Sequence, residues 1–456
     1  MKQQWSIARN VAIFLSVACL STPARADDWP QWLGPNRDGI WRETGIVAKF
    51  PQGGPKVRWR TPIGEGYSGP AVANGKVYIT DRVLADGVQN PKSAFDRKTR
   101  VAGVERTLCL NEADGKILWM QSYDCTYQIM YASGPRTTPV VADGKVYTLG
   151  AMGHLYCYDA DSGKVNWSRD LLKDYAKTPP GWGFSGHPIL DGDRLICLVG
   201  GEGSVAVAFN KDTGIEVWKA LSAAEPGYAP PTIFEIDGKR QLILWHPESV
   251  NSLDPVTGKV YWSQRYNKKK QLQAGMSIPT PRLEKNKLFF TCFYEGSLML
   301  EVKGTDAPKV LWQIQGRSVE PDDTKALHAV MVTPFLKGGY IYGVCSYGEL
   351  RCLKESDGER IWDTHKPVTG ESTRWGNAFM VQQADRVILF NEGGHLIIAK
   401  LSPKGYTEID RASILAPTNT MAPPGGRRVI WSHPAFANRC VFARNDREIV
   451  CVSMAE

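Results

Sequence analysis

A tryptophan preceded four residues earlier by a turn glycine recurs through most of this chain. The copies read CLNEADGKILW to Trp119, CYDADSGKVNW to Trp167, AFNKDTGIEVW to Trp218, SLDPVTGKVYW to Trp262 and CLKESDGERIW to Trp362. One more, EVKGTDAPKVLW to Trp312, keeps the indole and lacks the glycine. Successive tryptophans stand 48, 51, 44, 50 and 50 residues apart. A unit of this length cannot bury its apolar face alone, so it must pack against copies of itself.

Each unit carries a second phrase upstream: GPAVANGKVYITD from Gly69, TPVVADGKVYTLG from Thr138, HPILDGDRLICLVG from His187. These are pairs of strands rich in Val, Ile, Leu and Tyr joined by Asn-Gly or Asp-Gly turns. A third strand follows a glycine-rich tip such as Ala151 to His154 or Gly200 to Gly203, and the fourth ends at the tryptophan. The expected fold is all-β, an eight-bladed β-propeller of four-stranded antiparallel blades. First strands are expected at Gly69, Thr138, His187, Pro231, Thr280, Thr333, Asn377 and His433. The last blade runs out of chain after three strands, while a spare strand, Pro55 to Arg60, precedes the first. The N-terminal strand is therefore expected to close the ring and remove its free edges. Trp59, Trp119, Trp167, Trp218, Trp262, Trp312 and Trp362 are expected to wedge between blades, each N–H seeking a carbonyl, with the glycine supplying the left-handed turn.

At 456 residues, 43% hydrophobic and 22% charged, the chain is globular in composition. Residues 1–26 have the pattern of a signal peptide: Lys2 and Arg9, an apolar run from Val11 to Leu20, and a small-x-small site at Ala24-Arg25-Ala26. Cleavage near Ala26 would give a periplasmic or secreted protein; lipid anchoring at Cys19 is the alternative. Residues 27–54 form a lead segment and 55–456 the propeller. No later stretch is long and apolar enough for a transmembrane segment. Removing the signal lowers the formal charge from +8 to +5, too mild for nucleic-acid binding, and the run Lys268-Lys269-Lys270 reads as a solvated loop. None of the nine remaining cysteines has CxxC spacing. Cys109, Cys157, Cys352 and Cys451 share one place in the repeat and read as small core residues. A tight turn at Arg444 to Asp446 would set Cys440 opposite Cys451, where an exported protein could oxidise them.

The phrase A-x-D-x-x-T-G-K-x-x-W, matched by Asp159, Gly163, Lys164 and Trp167 and by Asp254, Thr257, Gly258, Lys259 and Trp262, resembles the tryptophan-docking motif of pyrroloquinoline-quinone-type (PQQ-like) propellers. The resemblance spans Pro55 to Glu456; DDWPQWLGPNRDGI and GWGFSGHP are similar to an exported bacterial subgroup of these repeats. It implies a propeller related to quinoprotein alcohol dehydrogenases and to an outer-membrane protein-assembly lipoprotein without cofactor. The dehydrogenase branch implies PQQ under a ring disulfide of adjacent cysteines, with calcium beside it. This chain has no Cys-Cys pair, so no cofactor is expected and no metal ligand is assigned.

The long connections, Met120 to Thr137, Ser168 to Ser185 and Gln313 to Val332, and an insertion from Arg82 to Arg106, are expected on one face, where binding loops gather on rigid scaffolds. First strands line the channel, so Arg136, Trp182, His187, Tyr228, His328, Arg374, Trp375, Trp431 and His433 are candidates for binding at its mouth. His187 in GHP and His433 in SHP lie three blades apart and read as polar filling of a wet channel rather than metal ligands; Glu320 to Asp323 reads as a solvated loop. No GxSxG, P-loop or HExxH motif is present, and no catalytic residue is assigned. The function expected is a monomeric binding or scaffold protein of the bacterial envelope, holding a protein or carbohydrate partner. A quinoprotein-type oxidoreductase is the alternative; a hydrolase or lyase on His187, His433 and Arg136 would need a carboxylate beside an imidazole.

Overall fold

The computed structural model describes residues 27–176, 178–266, 276–419 and 426–456. The proposed signal peptide with Cys19 and the lysine run at 268–270 lie outside the described residues. Eight four-stranded antiparallel sheets make an eight-bladed β-propeller. Blade one comprises Ala71–Ala73, Lys76–Leu84, Gly103–Asn111 and Ile117–Asp124. Blade eight comprises Ala435–Ala437, Cys440–Arg444 and Glu448–Ser453, and takes Val57–Pro62 from the start of the chain as its outermost strand.

The repeated phrase has a geometric cause. In every blade the pairing of third and fourth strands slips by one residue, and in the tryptophan blades the extra residue sits immediately before the indole. Such a bulge bends the strand and re-aims its side chains. Opposite the indoles stand Cys451, Cys109, Cys157, Ala208, Ser252, Met299 and Cys352, mostly small residues that leave the ring room. The indole then reaches the next blade's turn glycine: a Cβ on Gly163 would lie 2.6 Å from Trp119, and one on Gly115 the same distance from Trp59. Both glycines have φ near +70°, where a side chain is already disfavoured. The Nε1 groups of Trp59, Trp119, Trp167, Trp218, Trp312 and Trp362 donate to carbonyls of the following blade at 2.7 to 3.2 Å. Trp262 is the exception. The blade after it has the copy without the glycine, and its buried Nε1 meets no acceptor among the described residues.

Two local expectations need correction. The second and third strands of blade one stay paired through Arg82↔Glu105 to Leu84↔Gly103, so the insertion spans only 85–102. Arg82 extends the ladder because its guanidinium is buried, donating to the carbonyls of Ala132 and Val101 and lying 3.9 Å over the Tyr127 ring. Cys440 faces Ser453 and Cys451 faces Phe442, a diagonal offset that still leaves the two free thiols in contact with each other. The register differs because Asn445 accepts the amides of Arg447 and Glu448 through Oδ1, making a longer turn than the one expected.

The segment 27–54 crosses the face of the tight turns. Trp29 pairs with Val72 of blade one, Ile40 with Gln382 of blade seven and Ile46 with Ala455 after blade eight. Between these anchors the buried Arg37 donates to the carbonyls of His187, Pro188 and Pro231, and Arg282 of blade five donates to the carbonyls of Arg37 and Asp38. Burial lowers the Arg37 pKa to about 9, and the ring of carbonyls solvates its charge.

Candidate binding site at the channel mouth

The lead segment delivers Trp32 into the channel from below. Its indole stacks on His187, centroids 3.9 Å apart and planes 14° from parallel, meets His433 edge-on at 4.8 Å, and donates from Nε1 to Thr280 Oγ1 at 2.9 Å. The two histidines of the GHP and SHP phrases therefore share one indole across the channel. The His187 ring is fixed by the Thr138 amide, which donates to Nδ1 at 2.9 Å. Neither imidazole has a carboxylate partner among the described residues; His433 Nδ1 lies 2.6 Å from the Pro434 carbonyl. Burial holds His187 well below the usual histidine range, with Arg37 adding to the effect, and lowers His433 to about 4. Both are neutral near pH 7.

Above Trp32 the channel widens on the long-loop face into a cavity of about 190 Å³. Arg136, Trp182, His187, Tyr228, Trp375, Trp431 and His433 all line it. Arg374 stands at the rim, its guanidinium 5.2 Å over the Trp375 ring. His328 is elsewhere: it is fully buried, Nδ1 3.0 Å from the Phe293 carbonyl, its ring packed against Gly296 and Gly316. It is a core histidine because two glycines leave a slot that the imidazole fills.

Other lining residues carried no sequence signal. Tyr67, Phe95 and Tyr131 form one wall, and Met276, Val330 and Met331 another. Phe95 comes from the insertion and packs edge-on against Tyr131 and Trp375. The one cue for Trp32 was the crowding of Trp29, Trp32 and Trp41 into a short lead segment, too aromatic for a linker. Arg136 is spent on structure, donating to the carbonyls of Gly134, Met130 and Tyr131. Four polar groups of the lining have no partner among the described residues: the Tyr67 and Tyr131 hydroxyls, the Trp375 Nε1 and the His433 Nε2. Trp375 holds a left-handed backbone, φ 60°, uncommon for a bulky residue.

A calcium and quinone centre needs carboxylates for the ion and free cationic groups for the quinone's acids. No Asp or Glu lines this cavity among the described residues, and its one arginine is bound to carbonyls. The donor set does not fit that centre.

The family profile described as outer membrane protein assembly factor BamB matches residues 104–364, more than half of the chain. The chain belongs to this family. Among curated family members, BamB of Moranella endobia is 25% identical over 257 residues, 55% of this chain and 63% of that one. BamB of Salmonella typhimurium is 26% identical over 160 residues, 33% and 36% of the two chains. The chain thus spans less than two thirds of the length of the curated relatives it matches. The crystal structure of BamB from Moraxella catarrhalis superposes with a TM-score of 0.51 at 14% identity, over 86% of this chain and 97% of that one, and shows the shared fold. Quinohemoprotein alcohol dehydrogenase from Comamonas testosteroni gives a TM-score of 0.45 at 12% identity, over 94% and 81%. No helix among the described residues is long and apolar enough to cross a membrane.

Proposed function

We propose that this chain is a non-enzymatic binding propeller of the bacterial cell envelope that receives an apolar segment of a protein partner in the channel mouth. The observation that carries the reading is Trp32, which stacks on His187, meets His433 edge-on and so lines the floor of an aromatic cup. A cup is a receptor shape, and aromatic walls give contact area at low entropic cost. The wall of Met276, Ile278, Val330 and Met331 favours an aliphatic or aromatic side chain over a sugar, whose hydroxyls would find few partners there. The unpartnered Tyr67, Tyr131 and Trp375 groups suit the backbone of such a segment. Kinship with outer membrane protein assembly factors supports an assembly or scaffold role. Export through residues 1–26 is part of the same proposal.

The test is a titration of the purified chain with strand-like peptides of alternating polarity, read by indole fluorescence. Saturable quenching is expected, weakened at least tenfold in Met331→Asp. Equal affinity in both proteins, or saturation by an oligosaccharide in place of the peptide, overturns the reading. Binding of pyrroloquinoline quinone with calcium and dye-linked alcohol oxidation would replace it with the oxidoreductase alternative.

A further inference from the structure

A second cluster lies at the root of the insertion, apart from the channel. Glu105 is on the third strand of blade one, Cys125 follows its fourth strand, and His154 begins the third strand of blade two. One ligand atom from each lies within 4.8 Å of the others, with Cys125 Sγ 3.8 Å from His154 Nδ1. We propose that Glu105, Cys125 and His154 bind a single borderline-soft divalent cation, zinc foremost.

The donor chemistry selects the ion. One sulfur, one imidazole nitrogen and one carboxylate oxygen suit zinc, and bond lengths of about 2.0 to 2.3 Å around a tetrahedral ion set its ligand atoms roughly 3.5 Å apart. The Cys125 to His154 spacing is already close to that. Small side-chain rotations close the remainder.

The surroundings are built to hold the carboxylate. Glu105 is 1% exposed and takes part in no ion pair among the described residues. It accepts the hydroxyls of Tyr123 and Tyr127 and the Ala151 amide at 3.0 Å. Gly150 stands so close that any Cβ there would strike the carboxylate and the Tyr123 hydroxyl. Two phenols and an amide fix the ligand's orientation as outer-shell partners do at metal sites. The Tyr123 ring also packs on His154, 4.9 Å between centroids.

His154 is half-buried, and three protein ligands would leave the fourth position of a tetrahedral ion to water. Three protein ligands and one open position make an exchangeable site rather than a closed structural one. Cys125 is buried, and desolvation, with Glu105 next, pushes its thiol pKa up. In the metal-free protein it is a neutral thiol, and metal binding must release its proton to the buffer.

Cobalt(II) chloride titrated into the reduced full chain tests the site, because a thiolate ligand gives cobalt a charge-transfer band. One equivalent should produce the band, and zinc chloride should abolish it by displacement. Cys125→Ser should remove the band, and His154→Asn, at a half-exposed position, should weaken cobalt binding at least tenfold with an unchanged thermal midpoint. Should Cys125→Ser fail to fold, His154→Asn decides alone. Absence of the band at millimolar cobalt, or a band of undiminished affinity in His154→Asn, overturns the proposal.

Discussion

The indole of Trp32 lies flat against the imidazole of His187, 3.9 Å between ring centroids, although the two residues belong to different parts of the chain: one to the segment before the propeller, the other to the entrance of blade three. The contact makes the lead segment part of the cavity lining. Replacing Trp32 by Ala should cost about 3 to 5 kcal/mol, the usual loss for a buried indole. It should also open the channel through the tight-turn face. Denaturant unfolding measures the first effect; faster proteolysis within residues 27–54 reports the second.

The docking glycines separate steric contact from backbone strain. Gly163 and Gly144 both have φ near +70°, but a Cβ at Gly163 would collide with Trp119 whereas at Gly144 it meets nothing within 4 Å. Gly144→Ala should lose roughly 1 kcal/mol from backbone conformation. Gly163→Ala should lose that amount plus roughly 1 to 3 kcal/mol of overpacking. Equal losses in urea melts would contradict the docking account.

Trp262 and Trp218 are similarly buried, at 5% and 7% exposure, but only Trp218 has an acceptor, the Pro255 carbonyl at 3.2 Å. Exchange to Phe should therefore be milder at 262 than at 218 by about 1 kcal/mol, the net worth of one hydrogen bond. A pair of equilibrium unfolding curves decides it.

Acid should loosen the ring through its buried histidines. Burial lowers the pKa of His433 to about 4 and that of His328 to about 4, against 6.5 when exposed. A depressed histidine favours the native state fully above the unfolded value and loses that contribution as pH falls from about 6.5 to about 4, on the order of 3 kcal/mol for each. Asp446, raised to about 6 by burial, acts in the opposite sense below pH 6 and offsets part of the loss. The His433 share is isolated by comparing wild type with His433→Gln: the variant's denaturant midpoint should fall less steeply over that interval.

The ring was legible because its signals are local: Asp-Gly turns, the indole with its glycine, and the apolar strand runs all lie within one repeat. The cup was less so. His187 and Trp375 stand at strand entrances and could be placed from blade order alone, whereas Trp32, Tyr67 and Phe95 come from non-repeating segments whose position no period encodes. His328 read like its neighbours in sequence, and only the room left by Gly296 and Gly316 turns it into the core. The Cys440 register failed for a similar reason, since the side chain of Asn445 lengthens a turn that composition alone makes tight.

Ring closure by Val57–Pro62 against Glu448–Ser453 also fixes an order of events. The first strand made is the last to find its place, because its partner is synthesised only after the other seven blades. Until then the growing polypeptide carries two raw edges and no closed ring. Folding becomes complete only when the two ends of the chain meet, so a premature stop anywhere in the last blade leaves the whole circle open.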